Sequence, residues 1–124
     1  MAGAIEIPGF RLPAVAGENL TAAQFKFVYL SADMTIMLAD DTVSPIGILQ
    51  NNPNSGEEAT VMINGVSKVK IDVSGALTAG AVVSSSSAGT AIAATTGEYT
   101  VGQIVVGAAA GCIGSVLLKN DSKI

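Results

Sequence analysis

The chain has 124 residues, 49% of them hydrophobic and 13% charged, with a net charge of −4. That length fits one domain with a real hydrophobic core, and so apolar a balance argues against intrinsic disorder. With no histidine, no tryptophan and a single cysteine, the sequence excludes Ser-His-Asp and Cys-His nucleophile systems, an internal disulfide and a cysteine metal cluster.

Residues 1–19 differ from the rest. Pro8 and Pro13 fix local φ and remove backbone donors, while Gly3, Gly9 and Gly17 interrupt any periodic pattern. Ile5, Ile7, Phe10, Leu12 and Val15 are nevertheless apolar, so this is no solvating linker. The segment is expected to be an extended arm that pairs along another chain's strand edge. At ~3.3 Å per residue, a fifteen-residue arm would reach roughly 50 Å. The other reading is a strand folded back on its own core.

Residues 20–119 are expected to form the β domain. Gln24–Leu30, with Phe25, Phe27 and Tyr29 on one face, pairs with Met34–Leu38 in an expected hairpin across Ser31-Ala32-Asp33. Ile46–Leu49, Glu58–Ile63 and Val66–Val73 follow as strands. Between them lie the breaker cluster Asn51–Gly56 and Asn64-Gly65, a dipeptide favoured in tight turns. Gly75–Gly80 is expected to make one helical turn, Ala81–Ser84 a short strand, and Ser84–Gly89 an exposed loop of low complexity. Thr90–Ala94, Val101–Val106 and Cys112–Leu118 complete the set, with Cys112 expected as a small buried hydrophobe. Short strands at regular spacing indicate an all-β fold, a compact small β-barrel or sandwich with the N-terminal arm extended from it. Residues 120–124 are expected to be a polar tail.

Little in the sequence is built for chemistry. The basic residues Arg11, Lys26, Lys68, Lys70, Lys119 and Lys123 are scattered, without the clustering that nucleic acid requires. The longest weakly charged run, Tyr99–Leu118, is broken by Gly102, Gly107, Gly111 and Gly114, so no membrane span is expected. No phosphate-binding glycine motif occurs, and neither a cofactor, a metal nor a small-molecule substrate is expected. The carboxylates Asp33, Asp40-Asp41, Glu57-Glu58 and Asp72 are the remaining catalytic option. Neighbours along a strand point to opposite faces, and these residues read better as turn chemistry and edge protection. Lys68 and Lys70 share one strand face, either as its wet side or as contacts to acidic groups on a neighbouring subunit.

Gly47, Gln50-Asn51, Pro53, Gly56-Glu57, Ala59, Val61, Gly65-Val66, Lys68-Val69 and Ala76–Gly80 stand in a telling order. They follow the segments G-x-hydrophobic-Q-N-x-P, G-E-x-A-x-V, G-V-x-K-V and A-L/I-T-A-G of the small capsid cement, or head decoration, proteins of tailed bacteriophages. The chain resembles that family from about Phe25 to Leu118, including Val101-Gly102 and Gly107–Gly111. It departs at Cys112, where relatives carry an acidic or polar residue. The resemblance implies a mechanical, non-enzymatic function on the outer capsid surface of the virion. Such a protein bridges major capsid protein subunits of the expanded head against packaged DNA, often as a homotrimer. It implies capsid contacts through Ile5, Ile7, Phe10, Leu12 and Val15 of the arm, and through Lys68 and Lys70. The alternatives are another virion module, associated with a tail tube or fibre, and a carboxylate-dependent hydrolase.

Overall fold

The computed structural model describes residues 3–119, and among them are eleven strands and no helix. The tail expected at 120–124 lies outside the described residues. Five strands close a barrel in the order β2 (Arg11–Ala16), β4 (Thr35–Leu38), β3 (Phe27–Ala32), β5 (Gly47–Leu49) and β6 (Glu58–Met62), which returns to β2. Six more form a sheet in the order β1 (Ile7–Pro8), β7 (Gly65–Lys70), β11 (Ile113–Leu118), β10 (Gly102–Val106), β8 (Val82–Ser85) and β9 (Ala91–Ala93). That sheet curls until Ile71, just past β7, bridges Ala91 of β9. The Asp72 N–H then donates to the Ala91 carbonyl at 3.0 Å, so the far edge of the sheet is partly covered by its own chain. The fold is all-β and compact, as expected, in two lobes.

Alternation along the strands sorts the apolar residues into two cores. Phe27, Ile48 and Met62 face out of the barrel wall towards the sheet and pack with Val69, Ile71, Val83, Ile104 and Val116. Their chain neighbours Val28, Leu49 and Val61 turn the other way, into the barrel, among Ala14, Ala16, Ile36 and Ala59. The pleat places successive side chains on opposite faces, so three barrel strands serve both cores at once. The barrel interior is filled largely by alanine and β-branched residues, which suits the narrow lumen of five strands. Polar bonds also join the lobes: Lys70 N–H to the Phe25 carbonyl at 2.9 Å, Phe27 N–H to the Gly89 carbonyl at 2.8 Å, and Gln50 Nε2 to Ser67 Oγ at 2.9 Å.

Several local expectations need correction. Residues 7–16 do not form an outward arm, and the boundary expected at residue 19 does not divide the fold. β1 pairs with β7, and β2 is a barrel strand bonded antiparallel to β6 and, at Val15 and Ala16, parallel to β4. Pro13 sits where β2 has diverged from β4. Val15 N–H points to β4, donating to the Met34 carbonyl, so the donor that Pro13 lacks, two residues earlier, would face that open side. Asn64-Gly65 does not close a hairpin. β6 and β7 belong to different sheets, and the dipeptide carries the chain from barrel to sheet. Gly65 is required there: φ is +87°, and a Cβ would lie 2.6 Å from the Ile7 carbonyl.

Gly75–Gly80 is not helical: Leu77 bridges Ala108 through two backbone bonds of 3.0 and 3.1 Å, and Ala79-Gly80 then turn the chain, with Ala81 N–H on the Thr78 carbonyl at 3.1 Å. The serine run is not an exposed loop: Ser84 and Ser85 belong to β8, and Ser86 is buried with them. Burial is tolerated because the hydroxyls are paired; Ser86 Oγ accepts from the Ala88 and Thr90 N–H groups, each at 3.1 Å. Cys112 is exposed, not core, since it ends the turn before β11 with its N–H on the Ala109 carbonyl. β3 begins at Phe27 rather than Gln24, because Phe25 has a φ of +65° that breaks the extended run. β7 ends at Lys70, and beyond it Val73 is 81% exposed.

Candidate functional site

Three carboxylates, Asp40, Asp72 and Glu98, are absorbed by hydrogen bonds from nearby hydroxyls and N–H groups. Asp40 accepts from the Thr42 hydroxyl at 2.6 Å and the Thr42 N–H at 2.8 Å, which hold its carboxyl below the usual range. Asp72 is held down to about 2 by hydrogen bonds from Ser74 and Thr90. Glu98 is lowered by the Thr95 N–H and hydroxyl, with Ser84 adding a further bond. Each is a carboxylate stabilised in its charged form by short-range donors, the arrangement of an Asx-type turn rather than of an acid or base awaiting a proton. Among the described residues, no three His, Cys, Asp or Glu side chains gather as a metal cage. No helix among them is long and apolar enough to cross a membrane.

What the fold does present is apolar surface. Ile7 and Phe10 are 58% and 73% exposed, although the backbone around them is tied down. Ile7 pairs with Val66, the Phe10 N–H donates to Asn64 Oδ1, and the Phe10 carbonyl accepts from Ile63 N–H at 3.0 Å. Ile5 lies across the outer face of β11, where Ser115 Oγ accepts its N–H at 2.6 Å and donates to its carbonyl at 2.8 Å. Leu12 is half-buried against the barrel core. Val15 is exposed on the barrel wall and pairs with Glu58. Lys68 and Lys70 share the outward face of β7, both half-buried, and the Lys68 ammonium stands 5.8 Å from the centre of the Phe25 ring. The seven residues therefore fall on both lobes rather than along one arm.

An open groove of about 500 Å³ lies between residues 76–79 and 105–109, lined mainly by Leu77, Val105, Val106 and alanines. The small residues of A-L-T-A-G and G-A-A-A-G create it. Gly107 lets the two segments touch, since a Cβ there would lie 2.5 Å from the Leu77 carbonyl. The shared run of small residues in both stretches is the sequence signal for this close backbone approach.

No protein-family model and no curated protein sequence matches the chain. Its architecture does match a solved structure, described as the head fiber gp8.5 N base in bacteriophage phi29. The two agree with a TM-score of 0.67 at 19% identity, over 93% of this chain and 97% of the other. The likeness extends through both lobes and establishes a shared all-β fold.

Proposed function

We propose that this chain is a non-enzymatic structural protein of a bacteriophage head, working through its surfaces. The observation that carries the proposal is the end-to-end match in fold to the phi29 head fiber base, which is itself a head protein by description. The scarcity of reactive groups and the exposed apolar residues on both lobes support it. The finer reading is a cement role: the protein binds the outside of the expanded head and bridges major capsid protein subunits, as a homotrimer. Ile7 then meets the capsid while held on β7, and Phe10 while held against Ile63 and Asn64, not as a free arm. Binding only the mature lattice would stabilise it by linkage, and several such contacts per oligomer would make release rare.

Purified protein mixed with undecorated expanded heads and imaged by cryo-microscopy tests this. Density on the head exterior is expected; heads that remain bare would refute it. A second reading is favoured by the fibre-base description of the matched structure: the chain seats a longer projecting element. Density that continues outward from the bound domain on native particles would identify that case.

A further inference from the structure

The acidic excess lies in the barrel. Residues 11–62 hold two basic and six acidic side chains, a net −4, whereas residues 63–119 hold three basic and two acidic, and Glu6 beside β1 brings the sheet side to zero. The acids are not spread evenly over the barrel. Pro13, Val15 and Met34 line an open depression of about 410 Å³ together with Gly56 and Glu58. Val15 and Met34 are both exposed and are joined by the 2.8 Å bond from Val15 N–H to the Met34 carbonyl. Glu58 lines the depression, Glu57 precedes it in the chain, and Asp33 adjoins Met34; all three are exposed. No lysine or arginine lines it. An apolar floor thus carries the Glu58 carboxylate, with Glu57 and Asp33 next to lining residues in the chain.

The sheet shows the converse. Ile113 is the cross-strand partner of Lys70, and Lys68 pairs in the same way with Ser115, the residue that Ile5 covers. Ile5 and Ile113, both exposed, therefore form an apolar ridge beside two ammonium groups, and the face stays net positive even with Glu6 next to Ile5. Ridge and depression occupy different lobes.

We propose that the ridge of one copy seats in the depression of a second copy of this chain, with Lys68 and Lys70 against Glu57, Glu58 and Asp33. The apolar centres supply the burial, and the opposite charges fix register and exclude like-to-like pairing. Because the two surfaces differ, the contact is head-to-tail and propagates into a ring or a filament. It is read from this chain alone, so its failure leaves the head-bound reading to be decided by particle imaging.

Sedimentation equilibrium of the full chain across salt concentrations tests it. The expected result is a mass that rises above 12.3 kDa with concentration and falls back as salt screens the charges. Glu58→Lys and Lys70→Glu should each weaken association by about tenfold, since each turns an attraction into a repulsion. The two together on one chain should recover much of the loss, because positions 58 and 70 then attract again with their charges exchanged. Glu57→Lys replaces Glu58→Lys if circular dichroism shows that the latter disturbs β6. A mass of 12.3 kDa under all conditions overturns the proposal. So does association indifferent to either reversal, or a double variant no better than the singles.

Discussion

Phe27→Ala should be the most damaging single substitution in the shared core. Phe27 is the largest of the fully buried side chains, and it leaves the barrel wall to pack against the sheet. Truncating a buried phenylalanine costs about 3–5 kcal/mol, combining lost transfer energy with the cavity that remains. An unfolding entropy of about 2.1 cal/mol/K per residue amounts to about 0.26 kcal/mol/K over 124 residues, so Tm should fall by about 12–19 °C. Because the side chain bridges the lobes, both should lose the same stability. Each lobe has one of the two tyrosines, Tyr29 in β3 and Tyr99 just before β10, so single-tyrosine variants report on them separately by fluorescence during urea unfolding. Coincident midpoints that shift together are expected. A cost below about 1 kcal/mol, or two separated transitions in the unmutated chain, would refute the shared core.

Asp72 has a folded pKa of about 2 against an ordinary 3.8, so its contribution to stability is present above 3.8 and is lost as pH falls through 2. Chemical denaturation should show Asp72→Asn less stable than the parent near neutrality, with the gap closing over that window; a gap unchanged down to pH 2 contradicts the assignment. Gly65→Ala forces a Cβ towards Ile7 and Gly9 at φ +87°, and hydrogen exchange at Ile5–Phe10 should accelerate; unchanged protection would argue against the close approach. Cys112 is exposed and should react with a thiol reagent in the folded protein; labelling that requires denaturant would return it to the core. Removing residues 1–9 should leave a folded barrel by circular dichroism, whereas removing 1–16 deletes β2 and should unfold it.

Much of the strand content was legible. Glu58–Ile63 and Ile46–Leu49 read as strands from β-branched and aliphatic runs bounded by breakers, and both are strands in the fold, Glu58–Met62 and Gly47–Leu49. The common face of Phe25, Phe27 and Tyr29 was also visible, and all three contact one core. The hairpin of β3 with β4 was legible from its short connection, and the two strands do pair antiparallel. Pairing between distant strands was not, because alternation shows that a strand has two faces and not which neighbour will cover either one. Asn64-Gly65 suits a hairpin chemically, yet the partners of β6 and β7 were settled by the two cores. Arg11–Ala16 looked unlike a barrel strand because of Pro13, whose missing donor happens to face the side that β4 leaves open. The serine run misled through composition: hydroxyls can be buried once the backbone satisfies them, and only tertiary contacts show that it does. Cys112 looked like core because the residues after it are strand, although it stands one position before the first pair of β11. Of the expected contact residues, Ile5, Ile7, Phe10 and Val15 are exposed and Lys68 and Lys70 half-buried. Met34 and the depression it lines were missed, since nothing local ties residue 34 to residues 15 and 58.

The opening segment touches both lobes in quick succession, β1 on the sheet and β2 within the barrel. A tug on that end would therefore meet two resistances in series. The Ile5 bonds to Ser115 and the two-residue ladder of β1 would give way first, and the pull would then reach a strand paired with β6 from Arg11 to Val15 and at its far end with β4. Slack would be released before damage, much as a short tether pays out ahead of a fixed bolt.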